Sequence, residues 1–72
     1  MYEKLCAILD ALRERGISCR AECLYCSGVW EIVCAVPIER GVKVIRVPIT
    51  YKALDESPVE YLSNLVFLEV SI

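Results

Sequence analysis

The sequence predicts a small α+β domain in the order α-β-β-β-α-β: an N-terminal helix, a three-stranded antiparallel meander, a short helix and a C-terminal strand. Three observations carry that prediction. Apolar residues recur with a helical period up to Gly16, the period drops to two from Ile17, and a helix-start signal follows at Ser57.

In the first segment Leu5, Ile8, Leu9 and Leu12 fall on one side of a helix, with Tyr2 leading. Arg13 and Arg15 place positive charge where the C-terminal end of the helix dipole favours it. Gly16 can take the left-handed conformation that stops the last turn, so the expected helix covers residues 2–15. From Ile17, residues Cys19, Ala21, Cys23 and Tyr25 alternate with Ser18, Arg20, Glu22 and Leu24, giving a strand one apolar and one charged face. Ser27-Gly28 supplies a turn. Trp30, Ile32, Cys34 and Val36 then alternate against Glu31 and complete a hairpin.

Pro37 closes the second strand, Glu39-Arg40-Gly41 turns the chain, and VKVIRVPI (42–49) makes a third strand antiparallel to the second. Lys43 and Arg46 have opposite parity, so the third strand is expected either to bulge near Val44-Ile45 or to be partly buried on both faces. Pro48 has no amide hydrogen and belongs at an edge or a frayed end. After the polar stretch YKALDESP (51–58), Ser57 reads as an N-cap, Pro58 as the first helical residue and Glu60 as the partner of a capping box. Leu68, Val70 and Ile72 alternate with Glu69 and Ser71 and read as a fourth strand, reached by a crossover long enough to set it parallel to a neighbour, although VEYLSNLVFLEV (59–70) could also continue as a longer helix. No repeat or linker interrupts residues 1–72, which read as one domain.

A chain of 72 residues sits near the lower limit for a single self-sufficient core, so help from a crosslink, a metal or a partner chain is expected. Apolar residues make up 57% of it and the mean hydropathy is +0.51, above ordinary soluble usage. Part of that surface is expected to meet a second copy, making a homodimer. The candidate interface is Val29, Val33, Ala35 and Phe67, which share the parity of the sheet's second face in this reading. The net charge is −2 and the eight basic residues are scattered, which argues against a nucleic-acid-backbone binder. Glu3, Lys4 and Asp10 break the apolar positions of the N-terminal segment, excluding a signal peptide or membrane span there and pointing to the cytoplasm. The single Met and the absence of His and Gln fit a hot-adapted, thermophile-like source.

Five cysteines without a histidine leave three readings: buried small hydrophobes, a disulfide, or metal ligands. As hydrophobes, Cys6 would lie on or beside the first helix's apolar stripe and Cys19, Cys23 and Cys34 on the inner face of the hairpin. A disulfide would join Cys19 or Cys23 with Cys34. As ligands for zinc or an iron–sulfur cluster, Cys19, Cys23, Cys26 and Cys34 form the candidate set.

The run CRAECLYC (19–26) resembles the cluster-binding loop of radical S-adenosylmethionine enzymes, with three cysteines at C-x3-C-x2-C and an aromatic, Tyr25, before the last. That resemblance implies Cys19, Cys23 and Cys26 as ligands of a [4Fe-4S] cluster. It covers eight residues, in a chain too short for that family's βα barrel. CLYCSG (23–28) resembles one knuckle of a zinc ribbon, though no second C-x2-C is present.

The element order resembles archaeal Holliday-junction resolvases and related restriction-endonuclease-fold nucleases, with Glu31 on the second strand as the implied acidic residue. The third strand, VIRVPI, lacks the family's acid-x-Lys pair, so the resemblance implies an inactive nucleic-acid-binding fold. The α-β-β-β-α portion also resembles double-stranded-RNA-binding domains, whose lysine-rich helix start is replaced here by the acidic ESPVEY. Without histidine, and with Glu22, Glu31 and Glu69 expected to pair with Arg20, Lys43 and Arg46, no acid–base catalyst stands out. The sequence therefore points to a non-enzymatic, self-associating module that acts by binding a protein partner. It implies no cofactor in that reading, and a zinc or iron–sulfur protein is the alternative.

Overall fold

A computed structural model of the chain describes residues 2–24 and 28–71. The order is α1 (Tyr2–Glu14), β1 (Ser18–Leu24), β2 (Val29–Ile38), β3 (Gly41–Thr50), α2 (Tyr51–Glu56) and α3 (Val59–Ser71). The α+β class and the antiparallel meander agree with the sequence. The three strands form one sheet in the order β1-β2-β3.

Helix α1 ends as its sequence dictates. Gly16 adopts φ 81°, its N–H donates to the Arg13 carbonyl at 2.9 Å, and the Ile17 N–H donates to the Leu12 carbonyl at 3.1 Å. These two bonds satisfy carbonyls that the last turn would leave orphaned, and they turn the chain into β1.

The β2–β3 register is unbroken from Val29↔Thr50 to Ile38↔Gly41, so the third strand carries no bulge. Proline explains its phase. Pro37 lies opposite Val42 and Pro48 opposite Glu31, and neither has an N–H to give to the ladder. Both pairs are therefore non-hydrogen-bonded, and odd-numbered β2 residues turn their backbone groups toward β1. Lys43 shares the parity of the inner residues Ile45, Val47 and Ile49, yet it is exposed near the hairpin tip.

The core lies between one sheet face and the helices. Ile8, Leu12, Ile32, Cys34, Leu54 and Val66 are its fully buried side chains, with Leu5, Trp30, Ile49, Leu62 and Val70 around them. Trp30 is thus a core residue, with Tyr2 edge-on at 5.7 Å and Tyr51 tilted against it at 6.3 Å. Two basic side chains fasten α1. Lys4 Nζ donates to the carbonyls of Leu54 (2.7 Å), Asp55 (3.1 Å) and Ser57 (2.8 Å). At the other end Arg15 donates to Asn64 Oδ1 at 2.6 Å and stacks over Phe67 at 4.6 Å. Lys4 meets the end of α2, just ahead of α3, and Arg15 meets the middle of α3, so α1 and α3 run in the same direction.

The C-terminus corrects the sequence reading. There is no fourth strand among the described residues, because α3 continues through Ser71. Leu62, Val66 and Val70 repeat every four residues and are buried together with Ser63, whose hydroxyl donates to the Val59 carbonyl at 2.7 Å. That helical stripe carries Leu62, Val66 and Val70 into the core and turns Leu68 outward, 58% exposed, whereas a strand would have set Leu68 and Val70 on one face. Ser57 also changes role. It is the C-cap of α2, its N–H bonded to the Ala53 carbonyl at 2.9 Å, and α2 itself begins on an N-cap from Thr50, whose Oγ1 accepts from Ala53 N–H at 3.0 Å.

Candidate functional site

The two faces of the sheet differ because only one has helices over it. Even-numbered β2 residues and odd-numbered β1 and β3 residues face the core. Ser18, Arg20, Glu22, Val29, Glu31, Val33, Ala35, Val42, Val44 and Arg46 face the other way. This open face has two parts. Toward the hairpin tip lie Val33, Ala35, Val42 and Val44, where Val42 is 62% exposed and Val44 57%. A depression of about 270 Å³ runs there, lined by Ser18, Cys19, Arg20, Val33, Ala35 and Val44. Val33 is only 4% exposed although no helix covers it, so its strand neighbours and their long side chains enclose it.

Beside the valines stands a balanced charge network. Arg46 Nη1 donates to Glu22 Oε2 at 2.8 Å and to Glu31 Oε1 at 3.1 Å, while Arg20 donates to Glu22 Oε1 at 3.2 Å. Hydrogen bonds from Arg46 and then Arg20 hold the Glu22 carboxyl below its ordinary value, and its bonds to Glu22 and Glu31 raise Arg46. Lys43 and Glu69 do not join it in the way the sequence suggested: Lys43 sits on the other parity and Glu69 on α3. Glu31, the residue that the nuclease resemblance would assign to a metal, accepts from an arginine instead.

Three of the four candidate interface residues, Val29, Val33 and Ala35, lie on this open face. Phe67 does not. It was placed by strand parity, and in α3 its ring packs against the core under Arg15. Val42 and Val44 are the surface residues missed from the sequence. The signal was the two-residue turn at Glu39-Arg40, which sets Val42 opposite Pro37 and Val44 opposite Ala35.

The thiols separate rather than cluster. Cys19 lies directly opposite Cys34, both on the inner face. Cys34 is fully buried, and Cys19 is half-buried with its Sγ 3.7 Å from the Leu9 carbonyl. Cys23 keeps inner-face parity but is exposed at the strand end, sharing a 3.1 Å hydrogen bond with the Tyr51 hydroxyl. Cys6 is exposed on α1 rather than part of its apolar stripe. Cys26 and Tyr25 fall outside the described residues, so the cluster-loop and knuckle resemblances cannot be completed from the described part. Among the described residues the four cysteines are free thiols, and no three Cys, Asp or Glu side chains gather as metal ligands.

Elemental analysis of protein purified without oxygen separates the two readings, since the interaction module predicts no stoichiometric zinc or iron. One metal atom per chain would restore the Cys19, Cys23, Cys26 and Cys34 set.

No helix among the described residues is long and apolar enough to cross a membrane. Compared with known proteins, the chain matches no family model, no curated protein and no solved structure.

Proposed function

We propose that this protein is a non-enzymatic interaction module that self-associates through the open face of its sheet, forming a homodimer that presents a protein-binding surface. The observation that carries the reading is the uncovered aliphatic surface of Ala35, Val42 and Val44 on a sheet whose opposite face already bears the helices. An apolar surface of this kind on so small a body favours a partner.

Charge favours a second copy as that partner. The network beside the valines contains two arginines and two glutamates, so the face is neutral and can meet itself about a two-fold axis without like-charge conflict. The absence of histidine and the engagement of Glu22 and Glu31 with arginine support a binding role over acid–base catalysis.

Sedimentation equilibrium on the full chain tests this reading. The wild type is expected to run as a dimer at tens of micromolar. Val44→Glu, at an exposed position, is expected to weaken association more than about a hundredfold while leaving the far-ultraviolet circular dichroism unchanged, because each copy would bury an unpaired carboxylate. A wild-type monomer at high concentration would overturn the proposal.

A further inference from the structure

We propose that Cys19 and Cys34 are the site of an intramolecular disulfide, closed by exchange with a small-molecule disulfide such as oxidised glutathione. The sequence left Cys19 and Cys23 as rivals for Cys34, and the strand register decides between them. Cys19 is the direct partner of Cys34, whereas Cys23 lies opposite Trp30 and spends its thiol on the Tyr51 hydroxyl.

The phase of the ladder makes the pair suitable for bridging. Pro37 and Pro48 force odd-numbered β2 residues to bond toward β1, so Cys34, an even-numbered residue, forms a non-hydrogen-bonded pair with Cys19. Such pairs bring their Cα atoms to about 4.5 Å, with side chains closer than in the bonded pairs. Disulfides span Cα separations of about 4.4–6.8 Å. Both side chains point to the inner face, so the bridge would form inside the existing packing.

The chemistry proceeds in two exchanges. Cys19, half-buried on an edge strand, is the thiol that solvent reaches; Cys34 is 0% exposed. The Cys19 thiolate attacks one sulfur of the glutathione disulfide, forming a Cys19–glutathione mixed disulfide and releasing one glutathione thiolate. The Cys34 thiol then loses its proton and attacks the Cys19 sulfur, forming the Cys19–Cys34 bond and expelling the second glutathione. Two protein thiols are oxidised and one small-molecule disulfide is reduced to two thiols. Burial raises the Cys19 thiol, a shift that nearby Arg13 opposes, and burial pushes the Cys34 thiol up to about 11, with Cys19 adding to it. The exchange is consequently slow at neutral pH and quickens as rising pH increases the thiolate fractions.

The test uses the folded, full-length wild type incubated with oxidised glutathione at mildly alkaline pH. Cleavage after Arg and Glu residues isolates Cys19 on peptide 16–20 and Cys34 on peptide 32–39, apart from Cys23 and Cys26 on 23–31. The expected result is a 16–20/32–39 linked peptide lower in mass by two hydrogens than the sum of its two halves, whatever glutathione adducts the exposed Cys6 and Cys23 carry. The melting temperature is expected to rise by roughly 10 °C and to return on adding a reductant. In Cys34→Ala, Cys19 is expected to stop at the mixed disulfide. A link from 16–20 or 32–39 to 23–31, an interchain bond through Cys19 or Cys34, a lasting glutathione adduct on Cys19, or free thiols on both 16–20 and 32–39 would each overturn the assignment. The peptide map needs no variant to fold.

Discussion

Replacing Ile32 by alanine is expected to cost about 3–4 kcal/mol and to leave the protein largely unfolded at 37 °C. Ile32 is 0% exposed at the centre of the sheet's inner face, between strands on both sides and beneath the helices. A cavity there has rigid walls on every side and cannot collapse cheaply. A domain of this size has only a few kcal/mol in reserve, so one such cavity uses most of it. Urea denaturation at low protein concentration checks the value. The companion variant, Val33→Ala, alters the adjacent residue on the opposite face, where no helix forms a second wall, and is expected to cost about 1–2 kcal/mol. Equal losses at the two positions would mean that the open face is packed as tightly as the core.

Removing the Lys4 ammonium is the second large effect. Lys4→Ala is expected to destabilise the fold by about 2 kcal/mol, since three charge-assisted bonds to carbonyls at the end of α2 are lost together. The cost stays below the sum of three separate bonds because part of the site is exposed and water can replace the lysine. The local consequence is sharper than the global one. Amide hydrogen exchange over residues 51–57 is expected to accelerate more than exchange in β2. A helix of six residues has little stability alone and relies on the Thr50 cap at one end and Lys4 at the other. Uniform acceleration across the chain would show instead that Lys4 acts on the whole fold.

The elements legible in the sequence are those whose signal is local. The α1 stripe, the Gly16 stop and the alternation of the first two strands each lie within a dozen residues, and the structure repeats them nearly residue for residue. Helix α2 was hidden because YKALDE is short and polar, with Thr50 as its clearest marker. The last segment was ambiguous in itself: Leu68, Val70 and Ile72 alternate, while Leu62, Val66 and Val70 keep a helical repeat. Only the space beside α1 on the sheet decides between them, and that space is a tertiary property. The same limit applied to the candidate site. Val29, Val33 and Ala35 followed from β2's alternation, but Phe67 was carried to the wrong place by the strand reading. Val42 and Val44 required the β2–β3 register. The pairing of Cys19 with Cys34 rather than Cys23 likewise depended on an alignment between strands that no single strand contains.

The position of Pro48 has a consequence for how large an assembly can become. Strand β3 is an edge, and beyond its pairing with β2 it offers outward backbone groups at Val42, Val44 and Arg46 before reaching a residue with no N–H. An incoming strand would find its hydrogen-bond run cut short near the C-terminal end of β3, so growth of the sheet from chain to chain is penalised. Copies that met face to face would close on themselves, and the proline hinders such a pair from extending along its β3 edges.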